Sequence, residues 1–465
     1  MSNESVKVIK LQMMADGQTF RFLDGQSKIC NWLYNHLLEK AHTLKQQFIE
    51  SADLESAKIL YTERGLRNQI PLLKKEKPFL KSVHSSPLKN TALRLSQAIQ
   101  AHQKSKKGKR AGKRVGWPKF RSWQAGWFSL FYDEPNKGFK LNQNQLTLSL
   151  GERISLTFTL KDPLLLKNQT IRNLRIVKQA SVYYAVFTIL IELPLEKPLN
   201  RIIAFDPNHK NLAYGVDNEG KAIEIASPHW LKTYEKRMDE LKSKRDRCLK
   251  KSKKLTFTDP EGNIYKEKYI PSKRWRKYQT ALEKLRHKRQ EQTKTYLSTL
   301  AHQICKYYDG IGIGDYAPHG AGETKAMRRA MNNQSLIGRF KQTLRWVAAK
   351  SGKLFLEYDE KGTTRTCSKC DYVCIEGLSP SIRQWNCPCC RIVHIRDENA
   401  AINGLRKILR DLEKKCETLV SQVPCSGLFQ VNERWAWRAL PSGVQKTPRG
   451  HELQILQRQE IKLEA

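Results

Sequence analysis

Two closely spaced pairs of cysteines constrain this chain more than any other feature of its sequence. Two residues separate Cys367 from Cys370 and Cys387 from Cys390, and sixteen residues lie between the two pairs. Each such turn directs two sulfurs to one side, and two turns complete a tetrahedron around zinc. The predicted zinc site is structural, because a catalytic zinc keeps one position open.

The remaining cysteines leave one detail of this assignment open. Six of the 11 cysteines fall between positions 367 and 390, and such clustering in a long chain without a signal peptide favours metal over disulfides. Cys374 and Cys389 lie inside the cluster, so the choice of four ligands stays ambiguous. Four unrelated buried thiols are the alternative, and the ligand spacing of both pairs argues against it.

The charge of the chain predicts a polyanionic partner. Its 465 residues include 84 Lys and Arg against 45 Asp and Glu, a net charge of +39, with a pI near 9.8. Such an excess opposes folding unless an anion neutralises it, and nucleic acid is the expected anion. The longest apolar stretch, Val182–Ile191, is too short to span a membrane, and the first residues lack a signal core. We therefore expect a cytoplasmic protein that binds nucleic acid.

The first two hundred residues combine helical and strand patterns. Apolar spacing predicts helices over Leu37–Leu73 and Leu88–Gln103, and alternating segments after them predict a small antiparallel sheet or barrel. The expected strands are Leu146–Leu150, Ile154–Leu160, Leu174–Lys178 and Val182–Leu190.

A basic stretch separates these helices from the strands. Lys104–Arg114 holds seven basic residues in eleven. The aromatic residues that follow are Trp117, Phe120, Trp123, Trp127 and Phe128. Cations attract phosphates and rings stack on unpaired bases, so we interpret this region as a nucleic-acid contact. A solvated linker is the alternative, and some of the rings should belong to the core.

After Pro194 the pattern becomes that of a second α/β region. Three short apolar segments joined by tight turns begin at Arg201–Asp206, and a charged helical pair follows at Trp230–Tyr308. The polar stretch Lys250–Lys273 inside that pair is expected to be a loop. The next elements are a strand at Gly310–Asp315, a helix at Ser335–Ala349 and a strand at Lys353–Asp359.

The cysteine cluster comes next, and a closing helix begins near Asn399. This order predicts an RNase H-like α/β core with an insertion between its last strand and its closing helix. The tail Gln422–Ala465 is polar, and we expect it to be disordered although Trp435 and Trp437 could dock it.

Two aspartates occupy positions suited to metal-dependent chemistry on this core. Asp206 ends the first strand, and Asp397 opens the motif Asp-Glu-Asn-Ala-Ala at the closing helix. Carboxylates at such positions are the hard oxygen ligands of Mg²⁺, and phosphodiester cleavage uses two ions about 4 Å apart. Taken singly, a turn residue and a helix cap would explain them as well.

The motifs together resemble the TnpB family of transposon-encoded nucleases and the type V CRISPR effectors derived from it. FDPNHKNLAYGV, the helical pair, the cysteine pairs and HIRDENAAINGL follow in that order within Arg201–Leu409, and GWPKF adds weaker support. The resemblance implies an RNA-guided DNA endonuclease. Its fold would be α/β, an RNase H-like (RuvC) core interrupted by a zinc ribbon and preceded by a small β-barrel with a helical insertion.

The resemblance also implies a division of the chain. The expected parts are a wedge-like barrel over 1–200 with a helical recognition insertion at about 30–105, a nuclease core over 201–362 with a helical hairpin at 230–308, a zinc ribbon over 363–394, a closing helix over 395–421 and a tail over 422–465.

Carried over to this chain, the family pattern leaves one catalytic position unfilled. Asp206 matches the first catalytic acid and Asp397 the last. The family usually has a Glu at the end of the fourth strand, where this chain has Gly314. Asp315 is adjacent, but a shift of one residue on a strand turns a side chain to the other face.

Glu360 is the expected replacement. It lies just past the next strand, where most relatives have Pro, and some relatives that lack the fourth-strand Glu have Glu here instead. Neighbouring strand ends lie about 5 Å apart, so Glu360 could reach the same metals. An exposed loop acid is the alternative. Glu357 and Glu398 are lesser candidates.

The resulting expectation is a Mg²⁺-dependent endodeoxyribonuclease in which Asp206, Glu360 and Asp397 ligate two Mg²⁺ ions. A guide RNA would select the target in double-stranded DNA, and the N-terminal half would read a short flanking motif. We expect a monomer whose basic helical pair Lys232–Lys294 lies along nucleic acid or is simply solvated. Two rivals remain: a nuclease-inactive RNA-guided DNA-binding protein, favoured by Gly314, and a guide-independent nuclease such as a junction resolvase.

Overall fold

Two sheets organise the chain, one in each of two units, Met1–Glu192 and Leu193–Ala465. The structure is a computed structural model that describes residues 4–122, 127–192, 194, 199–208, 211–228, 230–316, 335–375, 378, 382–415, 431–440 and 443–448. No helix in these ranges has the length and apolar character needed to cross a bilayer.

The described part of the first unit forms seven strands and four α-helices. They are β1 (Glu4–Met14), α1 (Gly17–Ser51), α2 (Leu54–Tyr61), α3 (Ile70–Glu76), α4 (Ser85–Lys106), β2 (Ser129–Tyr132), β3 (Phe139–Asn142), β4 (Gln145–Ser149), β5 (Ser155–Leu160), β6 (Ile171–Gln179) and β7 (Val182–Glu192).

The sheet of the first unit is antiparallel and runs in the order β2-β6-β7-β1-β5-β4-β3. β1 joins its two halves, because Glu4–Gln12 pair with β7 whereas Met13 and Met14 pair with β5. Among the described residues no ladder joins β2 to β3. The described strands therefore form one antiparallel sheet, in agreement with the antiparallel sheet or barrel that the sequence predicts.

The helices of this unit begin at capping aspartates that the apolar pattern does not reveal. Asp16 and Asp53 accept hydrogen bonds from backbone N–H groups in the first turns of α1 and α2. The prediction of one helix over Leu37–Leu73 is therefore wrong, since α1 ends at Ser51 and α2 begins at Leu54. The second predicted helix is confirmed as α4, and the four predicted strands as β4 to β7.

The described part of the second unit forms eleven strands and four α-helices. They are β8 (Ile202–Asp206), β9 (Ala213–Asp217), β10 (Lys221–Ile225), α5 (Trp230–Lys250), β11 (Lys254–Thr258), β12 (Ile264–Tyr269), α6 (Lys273–Tyr307), β13 (Gly310–Gly314), α7 (Ile337–Lys350), β14 (Leu354–Tyr358), β15 (Gln384–Asn386), β16 (Val393–Ile395), α8 (Arg396–Lys415), β17 (Glu433–Leu440) and β18 (Gly443–Pro448).

A seven-stranded sheet in the order β14-β13-β8-β9-β10-β17-β18 lies between helices. Successive side chains of β8 point to opposite faces of the sheet. Ile203 and Phe205 pack in the core formed with α6 and α7, whereas Ile202 and Ala204 pack in the core formed with α8. Asp206 continues the second set. Helices on both faces of one mixed sheet confirm the α/β core that the sequence predicts.

The stretch Lys250–Lys273 is not a plain loop. β11 and β12 form an antiparallel hairpin there, closed by a turn in which Gly262 has a φ of 88° and the Asp259 carboxylate accepts the N–H of Asn263 at 2.7 Å. Leu255 and Phe257 alternate as in a strand, but the many Lys and Thr residues around them make this pattern weak. The sequence pattern therefore indicated a polar loop.

The tail is also not wholly disordered. β17 pairs in parallel with β10 over Glu433–Trp437, and β18 pairs with β17. Trp437 is buried in the core of the second unit. Within Gln422–Ala465 the described residues are 431–440 and 443–448; the rest of this segment, and positions 416–421, lie outside the described residues.

Candidate active site and zinc centre

Asp206 and Gly314 end two neighbouring parallel strands on one face of the sheet. Phe205 pairs with Ile313 in the ladder between β8 and β13, so the next residue of each strand lies side by side with the other. Gly314 is in turn paired with Tyr358 of β14. The carboxyl ends of three parallel strands therefore meet where Asp206 faces α8.

Glu360 fills the space above Gly314. A Cβ atom added at Gly314 would lie 1.9 Å from Oε1 of Glu360 and 2.5 Å from its Cδ and Cγ. No side chain at position 314 can coexist with Glu360 in this conformation. The carboxylate that the sequence predicts from position 360 thus lies where a side chain of the fourth strand would project.

Backbone hydrogen bonds hold Glu360 in this orientation. The N–H of Asp315 donates to Tyr358 O at 2.9 Å, and the N–H of Glu360 donates to Asp315 Oδ1 at 3.1 Å. The N–H of Tyr316 donates to the Glu360 carboxylate. Asp315 is exposed, and its carboxylate connects the loop after β13 to the loop after β14 by accepting the Glu360 N–H. Of these two neighbouring acids, Glu360 is therefore the one that faces Asp206.

Two acids of this site, Asp206 and Glu360, have a raised pKa. Burial raises the pKa of Asp206 well above its usual range, and the carboxylates of Glu360 and Asp397 raise it further, against Arg396. Burial also raises the pKa of Glu360 to about 7, although the Tyr316 N–H opposes this. Oε1 of Glu360 is buried and accepts no hydrogen bond from the described residues.

Asp397 completes the acidic set from the first turn of α8. Its side chain is 12% exposed, and Nη1 of Arg383 lies 3.4 Å from both of its carboxylate oxygens. Arg383 belongs to the segment between the cysteine pairs. This contact was not predicted from the sequence, because no spacing rule relates Arg383 to an acid fourteen residues away.

A tyrosine supports the strand that carries Asp206. Tyr358 is buried, and its hydroxyl donates to Phe205 O at 2.8 Å, across the intervening strand. Gly404 of α8 makes room for it, since a Cβ there would lie 2.3 Å from Cζ of the tyrosine. The end of β8 is thereby fixed against α8.

The two lesser acidic candidates have other partners. Glu398 accepts hydrogen bonds at 2.9 Å from the Tyr214 hydroxyl and from two nitrogens of Arg434 on β17. Glu357 is paired with Arg345 at 2.5 Å. Both carboxylates are occupied by neighbours, so neither joins Asp206.

The acidic residues suit divalent cations. The raised pKa values of Asp206 and Glu360, and a buried Glu360 oxygen without a described donor, are what a hard cation would relieve. Within the described ranges, only the cysteines form a set of three or more potential ligands with all donor atoms within 4.8 Å.

The four predicted cysteines do come together. The sulfurs of Cys367, Cys370, Cys387 and Cys390 all lie within 4.8 Å of one another, with Cys367–Cys390 at 3.6 Å and Cys370–Cys387 at 3.5 Å. Zinc–sulfur bonds of about 2.3 Å require tetrahedral sulfurs to be about 3.8 Å apart. The cluster thus fits zinc.

The structure resolves the ambiguity among the cysteines and adds a histidine. Cys374 and Cys389 are not part of the sulfur cluster, and Cys389 is exposed. Nε2 of His394, a buried residue, lies 3.0 Å from the Cys367 sulfur. His394 was not predicted from the sequence, although its place just before the Asp397 motif was a signal.

Two asparagines connect the zinc cluster to the acidic residues. Asn399 accepts the N–H of Ser368 at 2.8 Å and donates to Thr366 O at 2.8 Å, while Asn403 donates to Thr363 O at 2.8 Å and to Thr366 O at 2.7 Å. Both lie on α8, one and two turns after its start. The first cysteine turn is thus fastened to the helix that carries Asp397.

The aromatic residues after the basic stretch divide between core and surface. Trp117 and Phe128 pack against the core of the first unit, whereas Phe120 is 57% exposed. The guanidinium of Arg121 lies 3.5 Å from the ring centroid of Trp127. Trp123 lies outside the described residues.

The segment that holds most of this site is similar to a known family. Residues 338–404, which include Glu360, Asp397 and all four clustered cysteines, match the family model described as Cas12f1-like, TNB domain. Comparison with curated proteins gave no significant match.

Among solved structures, a Cas12f1–sgRNA–target DNA complex resembles 86% of this chain and 99% of that chain, at 11% identity and a TM-score of 0.51. The mini-RNA-guided endonuclease CRISPR-Cas_phi3 covers 91% of this chain and 94% of its own at 12% identity, with a TM-score of 0.37. A Cas12f ternary complex covers 84% and 85% at 12% identity, with a TM-score of 0.30. Only the first of these similarities is strong enough to bear on the fold.

The resemblance to TnpB and the compact type V effectors is thereby confirmed: residues 338–404 are similar to the Cas12f1-like TNB domain, and the fold is similar to that of a Cas12f1 protein.

Proposed function

We propose that this protein is an RNA-guided DNA endonuclease that cleaves phosphodiesters with Mg²⁺ held by Asp206, Glu360 and Asp397. One observation carries the proposal: the Glu360 carboxylate occupies the space above Gly314, beside Asp206, with a buried oxygen that no described donor satisfies. Loss of the fourth-strand Glu alone would not explain why a buried carboxylate lies above Gly314.

The partners follow from charge and from similarity of fold. The solved complex with the same fold contains a Cas12f1 protein, an sgRNA and target DNA. A net charge of +39 suits a long polyanion of this kind. A guide RNA paired to one strand would choose the target, while the protein holds the hybrid by its backbone.

In this mechanism, the chain's own residues position ligands and exclude water. Asp206, Glu360 and Asp397 would hold the cations, and the Tyr316 N–H orients the Glu360 carboxylate. Tyr358 keeps the end of β8 in place. Two Mg²⁺ ions, when bound, supply activation of the attacking water and stabilisation of the leaving 3′ oxygen.

The zinc cluster would act structurally. Four cysteines fill every position around the metal, and Asn399 and Asn403 tie the first cysteine turn to α8. Zinc would therefore set the position of Asp397 without taking part in the reaction.

Cleavage with the co-purified RNA tests the proposal. The RNA is sequenced, a matching DNA duplex library is supplied, and cleavage is measured with and without Mg²⁺. We expect Mg²⁺-dependent cutting that Glu360→Ala removes, and that the control Glu357→Ala retains because Glu357 is paired with Arg345.

Each failure of this experiment has its own meaning. No cutting at any Mg²⁺ concentration would overturn the nuclease assignment and leave guide-directed DNA binding. Full-rate cutting by Glu360→Ala would overturn the role of Glu360 alone. Absence of a discrete RNA would contradict guidance and favour a guide-independent nuclease.

A further inference from the structure

The β11–β12 hairpin projects from the helical pair formed by α5 and α6. All five residues of β11 are exposed, and so are Ile264 and Glu267–Tyr269 on β12. Three apolar side chains of the hairpin are exposed, Leu255 and Phe257 at 38% and 37% and Ile264 at 59%. Grouped exposed apolar side chains rimmed by polar residues are a feature of surfaces that contact a partner.

The register of the hairpin places apolar and basic residues on one face. Leu255 pairs with Lys268, and Phe257 lies two residues after Leu255 on the same strand and therefore on the same face. Directly paired residues share a face of a two-stranded sheet. The opposite face holds the ion pair between Lys254 and Glu267. One face thus combines two apolar side chains with unneutralised positive charge.

Positive charge is concentrated around this hairpin. Between positions 250 and 277 there are ten Lys and Arg against three Asp and Glu, one net positive charge for every four residues, compared with one for every twelve in the whole chain. Lys251, Lys253 and Lys268 are exposed, and none has a carboxylate partner among the described residues. The surface is complementary to phosphate.

We propose that the hairpin is a DNA-binding ribbon that enters the major groove of a duplex. Two strands about 5 Å apart and about 17 Å long fit a B-form major groove about 12 Å wide, which admits such ribbons. Leu255 and Phe257 would contact base edges such as thymine methyl groups, and the lysines would contact phosphates on either side. The A-form major groove is too narrow for side chains, which favours DNA over an RNA duplex.

This inference rests on the proposed function only for the identity of DNA as target, so its test uses binding rather than cleavage. Full-length protein with its co-purified RNA is titrated against a fluorescent non-target DNA duplex of about 20 base pairs, from about 50 to about 300 mM KCl. The variant is Lys251→Gln/Lys253→Gln/Lys268→Gln. The control, Lys140→Gln/Lys161→Gln/Lys167→Gln, removes the same charge from exposed positions of the first unit.

The hairpin variant should bind roughly tenfold or more weakly, and its slope of log affinity against log salt should fall by up to about 2.7, or about 0.9 for each phosphate that a lysine no longer neutralises. The control should keep the wild-type slope. A second variant, Leu255→Ser/Phe257→Ser, should weaken binding without changing the slope, because no charge is removed.

Equal slopes for the two triple variants would overturn the proposal. An equal loss of affinity for an RNA duplex of the same length would overturn the assignment to the major groove of DNA. If the wild-type protein cuts no DNA while the hairpin variant still loses duplex binding, the ribbon stands and the nuclease function fails.

Discussion

Gly314 and Glu360 act as a pair at the scale of single residues, because one leaves the space that the other fills. Gly314→Glu alone should displace the Glu360 carboxylate, and Glu360→Ala alone should remove it. Each should lower the cleavage rate at least about a hundredfold, since a metal ligand is lost. The double variant Gly314→Glu/Glu360→Ala should recover a measurable part of the rate, because the new glutamate meets no obstacle.

Gly338→Glu is the matched control for that experiment. A Cβ at Gly338 meets nothing within 4 Å, so a glutamate there should leave cleavage unchanged. A double variant slower than both single variants would show that position 314 and position 360 are not interchangeable sources of one ligand.

Glu360 also predicts how stability depends on pH when Mg²⁺ is absent. Its pKa of about 7 lies above the unfolded value of 4.5, so the folded chain holds a proton that the unfolded chain has lost. The stability from this group is present at low pH and is lost as pH rises through about 7. Glu360→Gln should therefore gain thermal stability over the wild type between about pH 5.5 and pH 8.

Thermal unfolding at both pH values, in Mg²⁺-free buffer with zinc retained, measures this difference. Adding Mg²⁺ at pH 8 should stabilise the wild type and not the variant. If the difference in thermal stability between the two proteins stayed constant across this pH range, it would contradict a buried Glu360 carboxyl with a raised pKa.

Residue-level prediction succeeded where one motif contained the whole signal. The four zinc ligands could be predicted from the sequence because the spacing within each cysteine pair is a local signal. Arg383 and His394 were not, since their contacts with Asp397 and Cys367 depend on how the segment between the cysteine pairs folds back.

At the scale of elements, β17 is joined to α8 by Arg434, which binds both oxygens of Glu398. The Glu398 side chain is 11% exposed and that of Arg434 29%, so the pair is only partly screened by water. Arg434→Ala should lower the free energy of unfolding of the second unit by about 2 to 3 kcal/mol, since it leaves a nearly buried carboxylate short of partners.

Urea unfolding followed by tryptophan fluorescence measures this change in stability. Arg438→Ala, at an exposed position of the same strand, should change stability by less than about 0.5 kcal/mol. An equal effect of the two substitutions would mean that the ion pair does not secure β17.

The zinc cluster makes a separate prediction for the elements that it links. Cys367→Ser or Cys387→Ser should lose the metal and lower the thermal stability of the second unit, because structural zinc binding is coupled to folding. Cys389→Ser should retain one zinc per chain, since Cys389 is exposed and outside the sulfur cluster. Zinc content by atomic absorption decides the matter, and unchanged content in Cys367→Ser would refute the assignment.

Elements with strong local patterns were predictable, and those formed by distant pairing were not. β13 and β14 were found from apolar runs. β17 was missed because its partner, β10, lies about two hundred residues earlier in the chain, and parallel pairing leaves no turn signal. The β11–β12 hairpin was missed because Leu255 and Phe257 are the only alternating apolar residues of β11, among Lys and Thr, and so short a pattern resembles a polar loop.

For the whole molecule, the net charge of +39 predicts opposite effects of salt on two forms of the protein. The thermal midpoint of RNA-free protein should rise between about 50 and about 300 mM KCl, because ions screen self-repulsion. That of the RNA-bound protein should fall, because salt weakens the binding of RNA. Differential scanning fluorimetry measures both, and a falling midpoint for the RNA-free form would contradict this account.

The place of β17 in the second sheet has a consequence for synthesis of the chain. Residues 433–440 complete a sheet that begins with β8, and Arg434 supplies the partner of a glutamate next to Asp397. The first unit draws its strands and helices from residues that leave the ribosome earlier. A nascent chain can therefore present a folded first unit before Arg434 is available to pair with Glu398, so the proposed capacity to cut would arise only after β17 has left the ribosome.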